Sequence, residues 1–464
     1  MTTGARASTG SERARSRLRE LFGCDLRSLA ALRVALGLCV LVDVVARSFD
    51  LVSLYTEQGV LPRSLLVAMD GTGVYLSAHV WAGASPWLQA ALFAVTAAAA
   101  VALAVGWRTR LVTLACWYLV ASVQVRQPFV YMGGDSMLRL LLFWGLFLPL
   151  GARFSVDAAR GRQRHGPNLL LSAATVAILL QVCLMYWATG LRKTGPLWWG
   201  GQAIYYALHS DLATPLGTWL THYPAVLTPL TYGTLALELL GPLVAFVPLA
   251  TPWFRMLAVG MFWSFHLGLA SAMNIGLFPL FSMAGWLAFL PGKFWSLVGV
   301  DAEPAVERAP APGWRSRLLS ATALLCLAYI VVLLAERARI IPRVLPEAAL
   351  QMGRALRLQQ SWGMFAPDPR RVALRLAINR TLVNGSVVEG PAGDTFRSRI
   401  YVWTAASELR PGGPAARSLV RRAMAECHES AAVEHVAIVK HEYPVAPAGS
   451  PHTITVLVEL PCWN

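Results

Sequence analysis

Three ionisable side chains stand where this 464-residue chain is otherwise apolar enough to cross a bilayer, and they are its candidates for chemistry. Lys193 follows Arg192 at the end of one apolar run, Glu238 lies midway along another, and His266 midway along the next. A lysine at the mouth of an apolar cavity loses proton affinity by desolvation and can act as a general base near neutral pH. The neighbouring Arg192 cannot, because a guanidinium stays protonated. Glu238 and His266 have no opposite charge at helical spacing in their own runs, so each needs a partner from another helix, a backbone carbonyl or water. Exposure to lipid would cost about 2.5 to 3.5 kcal/mol on insertion scales, so both are expected to face the bundle interior. A satisfied core histidine and a solvated interfacial lysine are the structural alternatives to a functional acid, base or ligand contact. A metal site is not expected: there is no HExxH, no CxxC and no second histidine at i+3 or i+4 from His266.

Further charges interrupt the apolar runs. Asp135 and Arg139 are four apart and are expected to pair on one helix face, and Asp43 and Arg47 to pair and snorkel to the outer interface. Arg33 lies in the same first run as Asp43. After Lys193, the residues Trp198, Trp199, Tyr205 and Tyr206 form an aromatic belt that suits a stretch lying along the membrane surface.

The elements that must position these residues are membrane helices. Apolar residues make up 56% and charged ones 14% of the chain, both far from a soluble average in opposite directions. Spans are expected near 28–47, 87–106, 110–126, 136–151, 168–190, 226–249, 255–275, 277–291 and 317–335. Stretch 51–80 is expected at the interface. The fold class is thus an all-α polytopic bundle of about eight or nine transmembrane helices, with a small C-terminal β-rich (α+β) extracytoplasmic domain. The expected division is a basic cytoplasmic tail at 1–27, a transmembrane domain at 28–336 and the β-rich domain at 337–464.

The formal charge of +15 does not point to nucleic acid, because the arginines flank apolar runs instead of forming one basic and aromatic patch. That distribution suits topology and anionic lipid. Arg-rich stretches fall in the N-terminal tail (Arg6, Arg13, Arg15, Arg17, Arg19, Arg27), at Arg108 and Arg110, at Arg153, Arg160, Arg162 and Arg164, and at Lys293, Arg308, Arg315 and Arg317. With alternating spans all four share one side, which places the N-terminus in the cytoplasm and the C-terminus outside. The first span is expected to be retained, not cleaved. The Pro- and Ala-rich linker Asp301–Gly313 is expected to be extended or flexible.

Beyond Arg337 the runs shorten. Val372–Leu382, Ser398–Thr404 and Thr453–Leu460 read as strands, Asn384-Gly385 as a hairpin turn, and Pro414–His428 as a helix. Cys24, Cys39, Cys116, Cys183 and Cys326 lie in or beside spans, whereas Cys427 and Cys462 are the two of the external domain and a candidate disulfide, with two unpaired thiols as the alternative.

Three segments in order carry a resemblance: Asp25–Val44 with Leu54–Leu66, GLRKTGPLWWGGQAI (Gly190–Ile204), and FHLGLASAMNIGLFPLFSMAGWLAFLP (Phe265–Pro291). Together they resemble the HTTM family, membrane domains similar to vitamin K-dependent gamma-glutamyl carboxylase, over roughly 25–295. QQSWGMFAPDP (Gln359–Pro369) is similar to the C-terminal region of bacterial members. The resemblance implies that Lys193, at the second lysine of a G-x-K-K segment, is the base associated with hydroquinone oxygenation. It also implies that His266 belongs to the same active site, and that the cofactor is a reduced quinone. In GARFSVD, Ala152 stands where the carboxylase carries a further histidine.

Two function classes follow. One is a membrane enzyme with Lys193 as base and His266 positioning an apolar quinol-type cofactor, modifying a substrate at the outer face. The other is a non-enzymatic carrier or envelope assembly partner in which Glu238 and His266 line a path. The partners expected are membrane lipid and either an apolar small molecule or an extracytoplasmic protein substrate, with no nucleic acid.

Overall fold

The computed structural model describes residues 3–161, 168–300, 313–429, 432–445 and 452–462. Most of the linker Asp301–Gly313, together with Arg162, Arg164 and Arg308, lies outside the described residues.

A helical, membrane-spanning bundle carries a small strand-rich region at its C-terminal end. Five helices are long and apolar enough to cross a membrane: α1 (Leu26–Ser48), α2 (Pro86–Val105), α5 (Ala173–Gly190), α6 (Pro224–Val244) and α9 (Trp314–Arg337). Helices α3 (Thr109–Arg126), α4 (Gly133–Gly145), α7 (Thr251–Ala272) and α8 (Phe278–Trp286) complete the bundle and fall short of that length or apolarity. Local chemistry sets the ends. Asp25 caps α1 by accepting from the Arg27 amide, Pro86 opens α2 where its missing N–H is harmless, and Ser172 and Thr175 form a capping box on α5. Lipid removes the hydrophobic drive between helices, so close packing carries their association. Gly37 supplies it, since a Cβ there would collide with Ala100 and Ala104 of α2. The outward faces stay apolar, with Leu38 and Val42 of α1, Leu240 and Leu243 of α6, and Leu324 and Leu325 of α9 exposed.

The Arg-bearing loops meet at one end of the bundle. Cys24–Asp25 pairs with Leu169–Leu170, Arg27 donates to the Val300 carbonyl at 2.6 Å, and Arg255 donates to the Gly23 carbonyl at 2.8 Å. Arg33, fully buried, donates to the carbonyls of Leu150 (3.2 Å) and Arg153 (2.9 Å), and Asp157 accepts from the amides of Arg108 and Thr109. A further helix, Thr3–Phe22, precedes this end.

At the opposite end sits the C-terminal region. Strands β1 (Val372–Leu382), β2 (Val387–Pro391), β3 (Val433–Pro444) and β4 (Thr453–Pro461) form an antiparallel sheet in the order β2-β1-β3-β4. The turn at Asn384-Gly385 joins β1 to β2, with Gly385 at φ +79°. Segment 398–404, expected as a strand, lies in helix α10 (Phe396–Ser407). The capping pair Thr395 and Ser398 starts a helix there, and its buried residues Tyr401 and Ala405 recur at i, i+4. Helix α11 (Pro414–Glu429) crosses the sheet, and Cys427 is bonded to Cys462 with their Cα atoms 5.3 Å apart. One apolar cluster runs from Tyr55 and Leu61 at this end of the bundle into Tyr401, Leu419, Val436 and Ile438, so the two regions share a core.

Charges reinforce that seam. Asp43 and Arg47 pair at 2.8 Å, but both are buried to within 2% of full cover and do not snorkel. Asp135 pairs with Arg47 and not with Arg139, because its carboxylate turns back to accept from the Met132 amide at the start of α4. Arg139 donates instead to Gln124 (2.5 Å), the Tyr131 hydroxyl (2.9 Å) and the carbonyls of Arg357 and Gln359. Arg397 of α10 reaches into the bundle to pair with Asp43.

Candidate active site

The bundle brings Lys193 and Glu238 together. Helix α5 ends at Gly190, where the missing Cβ leaves room for Leu239 and Glu238 of α6, and the chain then turns so that Lys193 points back inward. Its Nζ donates to Glu238 Oε1 at 2.5 Å, with both side chains less than 8% exposed. The ammonium also lies 4.2 Å from the centroid of the Trp198 ring. Burial pushes the Lys193 pKa below its ordinary value, and the Glu238 carboxylate partly offsets it. Pro242, four residues beyond Glu238 within α6, has no N–H to give the Glu238 carbonyl, so the helix ladder is open at that turn.

His266 lies one helix away. Its Nε2 is 2.6 Å from the Tyr186 hydroxyl, which also accepts from Trp286 Nε1 at 3.0 Å. Tyr186 lies on α5, the helix whose end leads into the Lys193 loop. Phe262 stacks on Trp286 with centroids 4.2 Å apart, and Phe278 meets the His266 ring edge-on at 5.5 Å. Phe278, Ser282 and Trp286 succeed one another at i, i+4 and i+8 on α8, which places Ser282 between the two ring contacts. Three polar atoms here are buried without a hydrogen-bond partner: Glu238 Oε2, His266 Nδ1 and Ser282 Oγ. Such atoms are costly unless something else satisfies them.

Arg192, the neighbour set aside on chemical grounds, turns outward and donates to Ser361 Oγ (3.1 Å) and the Trp362 carbonyl (2.8 Å). Ala152 is buried at the opposite end of the bundle, in the loop whose carbonyls hold Arg33. Among the described residues no group of three or more His, Cys, Asp or Glu is placed to hold a metal. Tyr186, Ser282 and Trp286 were not singled out by sequence reasoning. The signal available was a hydroxyl and an indole N–H inside apolar runs, each requiring a partner.

A family model described as HTTM domain matches residues 23–295, more than half of the chain. The chain belongs to the HTTM family. No curated protein and no solved structure matches it. The HTTM domain holds every member of the cluster, from Tyr186 to Trp286, whereas the segment that Arg192 grips lies beyond it.

Proposed function

We propose that this HTTM protein is a membrane enzyme of the carboxylase-like kind, with Lys193 as general base and His266 as a positioning group, acting on a substrate at the outer face. The observation that carries this reading is the buried Lys193–Glu238 pair. An ammonium held 2.5 Å from a carboxylate in an apolar shell can pass a proton to Glu238 Oε1, and the neutral amine left at Nζ can then take one from a substrate. Tyr186 holds His266 through Nε2, leaving Nδ1 free for a ligand.

The residues fit an apolar planar cofactor bearing hydroxyl groups. Tyr186, Phe262, Phe278 and Trp286 pack into an aromatic cluster beside the unsatisfied atoms of Glu238, His266 and Ser282, the apolar surface and polar contacts that such a cofactor would use. A reduced quinone would bring an ionisable hydroxyl and two electrons to that place. On this reading Lys193 and His266 serve one cavity, the eight or nine spans alternate, and 1–27, 28–336 and 337–464 are cytoplasmic tail, membrane domain and extracytoplasmic domain. The second reading, a carrier or assembly partner, is favoured by the same unpartnered Glu238 and His266 atoms if they line a path.

Lys193→Arg separates the two. It keeps charge and length but cannot deprotonate, so oxidation of a reduced naphthoquinone by dioxygen, catalysed by the protein in nanodiscs, should fall by about 10²-fold or more with the fold intact. Undiminished turnover in the variant removes Lys193 as the base, and undiminished biological function with no turnover in either protein favours the carrier.

A further inference from the structure

Four neighbours in the Lys193 loop are held by one stretch of chain that lies outside the HTTM domain. Arg192 donates to Ser361 and Trp362; the Gly195 amide donates to the Pro367 carbonyl at 3.0 Å; the Leu197 amide donates to Asp368 Oδ1 at 3.1 Å; and Trp198 Nε1 donates to the Phe365 carbonyl at 2.9 Å. Position 195 has to be glycine for this, since a Cβ there would overlap the Asp368 carboxylate. The start of the same stretch is anchored in the bundle. Gln360 is buried and accepts from Gln181 of α5 (2.9 Å) and from Trp362 Nε1 (2.6 Å), and Arg139 of α4 binds the Gln359 carbonyl at 2.7 Å.

Residues 359–368 therefore form a strap across the outer mouth of the Lys193 site. Trp198, whose face covers the ammonium, is pinned by the strap through its indole N–H. Asp368 fixes the loop by two routes, its hydrogen bond to Leu197 and its contact with the Gly195 α-carbon. We propose that Asp368 is a positioning residue for Lys193 and that the strap closes the lysine off from the outer aqueous phase. This rests on Lys193 being the working group of the site, and it makes the C-terminal region part of that site. A ligand must then either lift the strap or arrive from the bilayer.

The test exploits the chain's three lysines, Lys193, Lys293 and Lys440. The protein in nanodiscs is treated with a membrane-impermeant amine-reactive ester over a pH series, and each lysine is followed by mass spectrometry. In the native protein Lys193 should react at least about 10-fold more slowly than Lys440. Asp368→Ala should raise the Lys193 rate about 10-fold and move its pH midpoint up towards an ordinary lysine at about 10.4, with Lys293 and Lys440 unchanged. Asp368→Asn keeps an oxygen acceptor for Leu197 and should stay near native. A native Lys193 as reactive as Lys440, or an Asp368→Ala variant with native rate and midpoint, overturns the proposal. A variant that unfolds is recognised by faster labelling of all three lysines. The native protein then decides: the opening equilibrium read from Lys193 labelling should equal that read from hydrogen exchange of the Gly195 and Leu197 amides, and a mismatch beyond about 10-fold overturns it. These labelling rates test the cover alone, whereas quinol turnover tests the enzymatic reading alone.

Discussion

Removing one member of the Lys193–Glu238 pair should be far more costly than removing both. The two groups are buried and 2.5 Å apart, so Lys193→Met strands a carboxylate in an apolar shell. The stranded group escapes by binding a proton, which sets a ceiling on the cost. At pH 7, neutralising a carboxyl of ordinary pKa about 4.3 costs about 3.7 kcal/mol, and neutralising an ammonium of about 10.4 costs about 4.6 kcal/mol. Lys193→Met should therefore destabilise by up to about 3.7 kcal/mol, and Glu238→Gln by up to about 4.6 kcal/mol. The double variant replaces the pair by groups of similar volume and should cost about 1 kcal/mol or less, for a coupling of at least about 2 kcal/mol. The ceiling for Lys193→Met falls to about 1 kcal/mol at pH 5, because the proton is then nearly free. Denaturant titration of the four proteins in one detergent at pH 7 and pH 5 reads all of these values. Additive single costs, or a Lys193→Met penalty that is equal at the two pH values, would refute a buried charge pair.

Burial pushes His79 down to about 3, with the Gln89 contact opposing, so the folded protein does not bind a proton that the unfolded chain binds at about 6.5. The stability it contributes is complete above about 6.5 and is lost as pH falls towards 3, with a slope of up to about 1.4 kcal/mol per pH unit; His79→Gln should flatten an acid-melting series over that window. The Cys427–Cys462 bond closes a loop of 35 residues, so Cys427→Ser with Cys462→Ser should destabilise the C-terminal region by about 2 to 4 kcal/mol, and free thiols found by non-reducing mass spectrometry would contradict the bond. Reporter fusions after Arg164 and after Pro310 should be cytoplasmic and one after Pro346 external; an external reporter at Arg164 would overturn the orientation.

The five helices long and apolar enough to cross a membrane were legible because length and apolarity are local properties, and the turn at Asn384-Gly385 because its chemistry is local too. Glu238 was readable as a residue needing a partner on another helix. That the partner is Lys193 was not, since the pair is set by how α5 and α6 cross and not by spacing along the chain. Local charge rules failed where a distant group won. Asp135 has Arg139 one turn away, yet its carboxylate caps its own helix and meets Arg47. In 398–404, alternating Ile400, Val402 and Thr404 suggested a strand, but the Thr395–Ser398 cap and burial against α11 made a helix. The strap was visible only as a run of sequence; its contacts with the Lys193 loop span some 170 residues.

The seam between bundle and C-terminal region has a consequence for how the protein is made. Asp43 and Asp135 are buried in helices made early in synthesis, and among the described residues Arg47 is their ion-pair partner until Arg397 is synthesised some 260 residues after Asp135. During that interval Asp43 Oδ1 lacks the guanidinium that holds it in the finished protein, and it must be kept wet or protonated. The last ion pair of this buried cluster is thus completed only after the bundle's helices have been made, by a residue of the C-terminal region. A chain cut off after α9 would keep its helices but leave Asp43 Oδ1 without its partner, a chemical mark by which membrane quality control could separate unfinished molecules from finished ones.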